Sequence, residues 1–234
     1  SSLSSGFDFM TGVDSSGNAY SWGNNSSGQL GDGTFTNSNI PSLIGSLSNI
    51  KFISTSSSSC MAVENTGDVY VWGNNNEGQL STGNTSVINF PFLNTNINNI
   101  DTVAAGKNHF ILLKNDSTVW SVGNNDFGQL GQGNLVSQNN AQQILALNNI
   151  VKIGAGEYHS FAINSNGKLY VWGNNSSGQL GLNDYTNRLT PSLSPLQNII
   201  QAEGGASHSV FLKNNQKVYA TGDNSFGQLA LGNQ

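Results

Sequence analysis

His109, His159 and His208 are the side chains in this sequence best suited to chemistry, as metal ligands or general bases. Their spacing argues against both roles. They stand 50 and 49 residues apart, in the strings GKNHF, GEYHS and GASHS. A repeating fold would put each in a different unit, whereas a zinc site needs three or four ligands converging on one point. Phe9 and Ser59 hold the same position in two earlier copies, so the histidine there reads as structural. Cys60 is the one cysteine, which excludes an intrachain disulfide and a Cys-based zinc site. It reads as a small, half-buried side chain. The acidic residues show no pairing suited to general acid–base work, and no Ser/His/Asp set stands out. The glycine-rich strings do not follow a strand and open a helix, so they read as turns rather than phosphate cradles. The chain is expected to have no catalytic residue, cofactor or metal.

The elements that would position these residues keep the same step. A Gly-Asn-Asn-x-x-Gly-Gln-Leu string reads WGNNSSGQL from Trp22, WGNNNEGQL from Trp72, VGNNDFGQL from Val122, WGNNSSGQL from Trp172 and TGDNSFGQL from Thr221. Its second glycines are Gly28, Gly78, Gly128, Gly178 and Gly227, at steps of 50, 50, 50 and 49. Such a period means a repeat architecture, in which each unit buries its apolar face against its neighbours. In the fourth copy a short strand A spans Asn149–Ala155, strand B follows over His159–Ile163, and the turn Asn164–Gly167 leads to strand C over Lys168–Trp172. A strand D lies between Gly181 and Pro195. Four short antiparallel strands per fifty residues make one blade of an all-β propeller. The blades are expected over 1–50, 51–100, 101–150, 151–199 and 200–234, the last incomplete. Five repeats form either a closed five-bladed ring or an arc of a larger one.

Repeated residues have physical roles in such a blade. Tyr20, Tyr70, Trp120, Tyr170 and Tyr219 share a strand face with Trp22, Trp72, Val122, Trp172 and Thr221, which suits packing between blades. Gly23, Gly73, Gly123, Gly173 and Gly222 allow a turn at φ > 0. The amide of Gln29 and its counterparts satisfies backbone groups of a turn. Pro41, Pro91 and Pro191 suit an edge, where no ladder donor is needed.

The pattern A-G-x-x-H, an apolar strand, then aromatic-x-W-G-x-N-x-x-G-Q-L-G resembles the repeat of the regulator of chromosome condensation family, over all five copies. The resemblance implies a propeller, usually of seven blades. The family's founding member is a nucleotide exchange factor for a small GTPase and uses an inserted β-wedge; here the step never lengthens. A plant photoreceptor of this fold uses a G-W-R-H-T motif, and the matching strings here lack its Trp and Arg.

Charged residues are 9% of the chain, against about 25% in ordinary globular proteins. The net charge of -5, with eight Lys plus Arg, argues against nucleic acid. No run of apolar residues is long enough to span a membrane. The reading is a non-enzymatic module for binding another protein or a surface receptor. Its Asn- and Ser-rich surface fits an extracellular or virion setting better than the cytoplasm. The alternative is a regulator or exchange factor of a small GTPase inside a cell. Strand parity puts the A–B and C–D turns on one face, and loops on a rigid scaffold concentrate binding residues. The expected contacts are the exposed aromatics Phe127, Tyr158 and Phe226, with Glu157, Lys107 and Glu77 setting charge complementarity.

Overall fold

The computed structural model describes residues 1–232 and contains only strands, turns and bends. The first sheet is β1 (Ser2–Ser5), β2 (Phe9–Val13), β3 (Ala19–Gly23) and β4 (Ser38–Leu43). The second is β5 (Ile50–Thr55), β6 (Ser59–Glu64), β7 (Val69–Gly73) and β8 (Ile88–Leu93). The third is β9 (Ile100–Ala105), β10 (His109–Lys114), β11 (Val119–Gly123) and β12 (Gln138–Gln143). The fourth is β13 (Ile150–Ala155), β14 (His159–Asn164), β15 (Leu169–Gly173) and β16 (Arg188–Leu193). The fifth holds β17 (Ile199–Gly204), β18 (His208–Lys213) and β19 (Val218–Gly222). Every sheet is an antiparallel meander in chain order. The fifth has three strands rather than four among the described residues.

The core lies between blades. Alternate residues of one strand belong to different apolar clusters, because successive side chains of a strand point to opposite faces. Thus Phe110 and Leu112 of β10 pack with the second sheet, while Ile111 and Leu113 pack with the fourth. The middle of strand B, as in Phe110–Leu113, is therefore apolar and buried on both faces in the inner blades. The outer strands, such as β4 and β8, are largely exposed and carry Pro41 and Pro91, whose missing N–H is harmless at an edge. The A strands are innermost and contact one another around the axis.

Two inter-blade contacts account for much of the repeat signature. Trp72 Nε1 donates to the carbonyl of Gln29 at 2.9 Å, and Trp172 Nε1 to that of Gln129 at 2.8 Å. Gly28 and Gly78 have φ of 72° and 73°, and a Cβ on either would come within 2.6 Å of Asn89 or Asn139, on the outer strand of the next blade. Cys60 is fully buried rather than half-buried, because it sits on the inter-blade face of strand B beside Trp72.

The arc does not close on itself in the manner of its internal joints. Leu3 is 75% exposed, whereas its counterpart Ile53 is 4% exposed. At the other end Val218 is 63% exposed and its counterpart Leu169 fully buried. The first and fifth sheets thus leave uncovered the faces that consecutive sheets cover.

Candidate interaction surface

The A–B and C–D turns are joined into one face by repeated main-chain hydrogen bonds. Asn24 N donates to Asp8 O, Asn74 N to Ser58 O, Asn124 N to Asn108 O, Asn174 N to Tyr158 O and Asp223 N to Ser207 O, at 2.8–2.9 Å. A second series runs from blade to blade: Phe7 N to Ser57 O, Ser57 N to Lys107 O, Lys107 N to Glu157 O and Glu157 N to Gly205 O, at 3.0–3.2 Å. These bonds run along the inner edge of the arc, where a cavity of about 410 Å³ is lined by A–B residues from all five blades. An adjoining cavity of about 400 Å³ shares Phe7 and Lys107 and adds Asn24, Ser26 and Ser27 of the first C–D turn.

The C–D turns are held by their own motif. The buried Asn25 accepts from Leu30 N at 2.9 Å and donates to Thr34 O at 3.1 Å, tying together the loop Asn25–Thr34. Asn75, Asn125 and Asn175 repeat this clamp. Gln29 accepts from Ser27 N at 2.8 Å and donates to Asn24 Oδ1 at 3.1 Å, so its amide satisfies the turn from inside. All ten glycines of the motif, Gly23, Gly28, Gly73, Gly78, Gly123, Gly128, Gly173, Gly178, Gly222 and Gly227, lie at positive φ.

On this frame the structure gathers four of the six expected contact residues. Lys107 forms an ion pair with Glu157, donates to Tyr158 Oη at 2.8 Å, and sits 5.1 Å from the centre of the Tyr158 ring. Phe127, from the C–D turn of the third blade, packs against Tyr158 of the fourth with centroids 5.0 Å apart and the rings tilted by 56°. The bonds to Glu157 and Tyr158 push the Lys107 ammonium well above the usual lysine range. Glu77 stands apart and accepts from Asn124 Nδ2 at 3.2 Å. Phe226 is 89% exposed. Phe127 and Tyr158 are half-buried rather than exposed, since each covers the other across a blade boundary. The selection left out Phe7, which is 85% exposed on the rim of both cavities. Its place at an A–B tip was legible; its lack of a covering neighbour was not.

The histidines have a different task. Ser160 Oγ donates its one proton to Gln129 O at 2.9 Å, so His109 Nε2 at 3.0 Å must be the donor to Ser160. Likewise His159 Nε2 donates to Ser209 Oγ at 2.9 Å, which donates to Gln179 O at 2.6 Å. Each imidazole is neutral, carries its proton on Nε2, and leaves a buried Nδ1 without a partner. Burial pushes both rings down to about 3. These are Ser–His pairs, yet all four residues are fully buried and the hydroxyl proton is committed to a carbonyl, so neither serine is a nucleophile. His208 is half-buried at the equivalent place in the fifth blade. The glycine three residues earlier makes room for the ring: a Cβ at Gly106 would lie 2.0 Å from His109 Cε1, and one at Gly156 2.1 Å from His159 Cε1. Where Ser59 replaces the ring, Ser56 replaces the glycine and its Oγ accepts from Ser59 N at 3.0 Å.

The site is therefore a rigid propeller face with a charged and aromatic cluster built across blades. A family model for the RCC1-like domain matches residues 1–234, and the chain belongs to that family. It is similar to human WBSCR16, with 25% identity and a TM-score of 0.83 over 92% of this chain and 57% of that one. Prp20p from Saccharomyces cerevisiae, described with its binding properties to Gsp1p and histones, is 23% identical with a TM-score of 0.80 over 92% and 57%. Yeast RCC1 (Prp20) bound to Kap60 is 20% identical with a TM-score of 0.85 over 95% and 56%. The chain thus spans just over half the length of these structures. No curated protein matches it.

Proposed function

We propose that the chain is a non-enzymatic protein-interaction module that presents its A–B and C–D turns to a protein partner. The observation that carries this reading is the cluster of Lys107, Glu157, Tyr158 and Phe127 across a blade boundary, beside the uncovered Phe7. Side chains already fixed by ion-pair, hydrogen-bond and ring contacts lose little freedom on binding, and aromatic anchors dominate interface energetics. The serine- and asparagine-rich turns around them supply adaptable hydrogen bonds. Low lysine and high asparagine content supports a secreted or virion-surface setting.

A photo-crosslinking residue at position 7 tests this against the same residue at position 145, on the outer rim, where Leu145 is 79% exposed. A specific protein crosslinked from position 7 alone is expected, and its affinity falls in Phe7→Ser and Tyr158→Ala. Equal crosslinking from both positions would overturn the assignment.

A second reading, a regulator or exchange factor of a small GTPase, is supported by the family and by the described binding of Prp20p to Gsp1p. It predicts faster release of a fluorescent GDP analogue from at least one member of a panel of small GTPases. No acceleration across the panel removes it.

A further inference from the structure

The opposite face, made by the B–C turns, has a charge gradient around the arc. The turns read DSSGN from Asp14, ENTGD from Glu64, KNDST from Lys114, NSNGK from Asn164 and KNNQK from Lys213. The first two are acidic, the third mixed, and the last two purely basic. Lys152, at the start of the fourth A strand, adds to the basic end. Cations elsewhere are paired within the chain: Lys51 with Asp101, Lys107 with Glu157, and Arg188 with Asp184. Lys114 shares its turn with Asp116, whose carboxyl it helps hold below the usual range after the bonds from Thr118. Among the described residues Lys152, Lys168, Lys213 and Lys217 take part in no ion pair.

Lys152 lines a cavity of about 340 Å³ between the fourth and fifth blades, which has no acidic residue in its lining; Lys168 adjoins the lining residue Gly167, and Lys213 and Lys217 belong to the turn that contributes Asn214. The frame is fixed: Ile199 N donates to Gly167 O at 3.0 Å and Asn214 N to Asn198 O at 2.9 Å, which holds the two basic turns on either side of the connecting chain. Lys152 Nζ donates to Ile200 O at 2.7 Å, across the blade boundary. Val151 and Ile200, 49% and 41% exposed, give the groove an aliphatic wall, while Asn164, Asn198 and Asn214 offer amides. At the matching position between the second and third blades the Lys51–Asp101 pair replaces these two aliphatic residues.

We propose that this groove docks an acidic peptide segment of a protein partner, an aliphatic side chain between Val151 and Ile200 and its carboxylates towards Lys152 and the lysines of the two flanking turns. An aliphatic wall and amides suit a peptide. Nucleic acid would need a longer track of cations, with aromatic rings to stack bases if single-stranded. The overall sparseness of basic residues hid this site in the sequence, because it lies in their distribution.

A fluorescein-labelled peptide of repeating Asp-Glu-Leu, titrated with the 234-residue chain, tests the proposal. Saturable binding is expected that weakens as salt rises from about 0.05 to 0.3 M. Lys168→Glu with Lys217→Glu, both exposed turn residues, should weaken it at least about tenfold with the melting temperature kept. Lys51→Glu, at the acidic end, should leave it unchanged. Three results would each overturn the proposal: no saturable peptide binding, equal affinity in the double variant, or tighter binding of an oligonucleotide of matched charge. So would a concentration-dependent dimer, lost in the double variant, in place of peptide binding; that would assign the groove to the acidic turns of a second copy.

Discussion

At the scale of single residues, the buried imidazoles link stability to pH. The unfolded chain takes up protons near 6.5, while His109 and His159 in the fold resist them until about 3. The unfolded state therefore binds more protons between these values. The stabilisation is complete above 6.5 and falls as pH drops towards 3, at about 1.4 kcal/mol per pH unit for each ring. Urea unfolding is expected to show a clear loss of midpoint between pH 7.5 and pH 4.5; a flat profile would contradict the neutral, buried assignment. The chain contains its own control. Phe9 and Cys60 hold the positions of His109 and Ser160 two joints earlier, so His109→Phe with Ser160→Cys should fold and lose about half of the acid sensitivity. Ser160→Ala alone strands the Nε2 proton, and chemical denaturation should show a loss of about 1–3 kcal/mol.

At the scale of elements, the turn glycines are not equivalent. A Cβ on Gly128 would meet Leu189 Cδ2 at 2.5 Å and its Cα at 2.9 Å, in the next blade's outer strand, whereas one on Gly227 meets nothing within 4 Å. Gly128→Ala should destabilise by several kcal/mol, and Gly227→Ala by about 1–2 kcal/mol, the strain of a left-handed residue alone. Thermal melts of the two variants measure the difference, and equal losses would contradict the close approach. The same contrast shows what the sequence can carry. Strands B and C were legible to within a residue, because burial on two faces makes them apolar and the following turns have fixed chemistry. Strand D was located only as a region, since an outer, exposed strand such as Gln138–Gln143 needs no apolar pattern. The A–B and C–D face followed from strand parity. Whether Phe127 or Phe7 is covered depends on the neighbouring blade, as Phe127 does on Tyr158, 31 residues further along the chain, so no local pattern records it.

At the scale of the molecule, the uncovered faces at Leu3 and Val218 set the solution behaviour of this 234-residue chain. Light scattering should show concentration-dependent association that Leu3→Lys and Val218→Lys reduce; a monomer at all concentrations with both faces native would refute this. The histidine relay has a consequence for how such a ring can grow by copying its own segments. Each imidazole answers to a hydroxyl in the following unit, so a unit tolerates tandem duplication only if it carries both halves. The fourth unit does, with His159 and Ser160, and the fifth does, with His208 and Ser209. A duplicated third unit would set His109 against Phe110 and leave the ring nitrogen without an acceptor. A tandem copy of the fourth unit would therefore keep its imidazole bonded, and a tandem copy of the third would not.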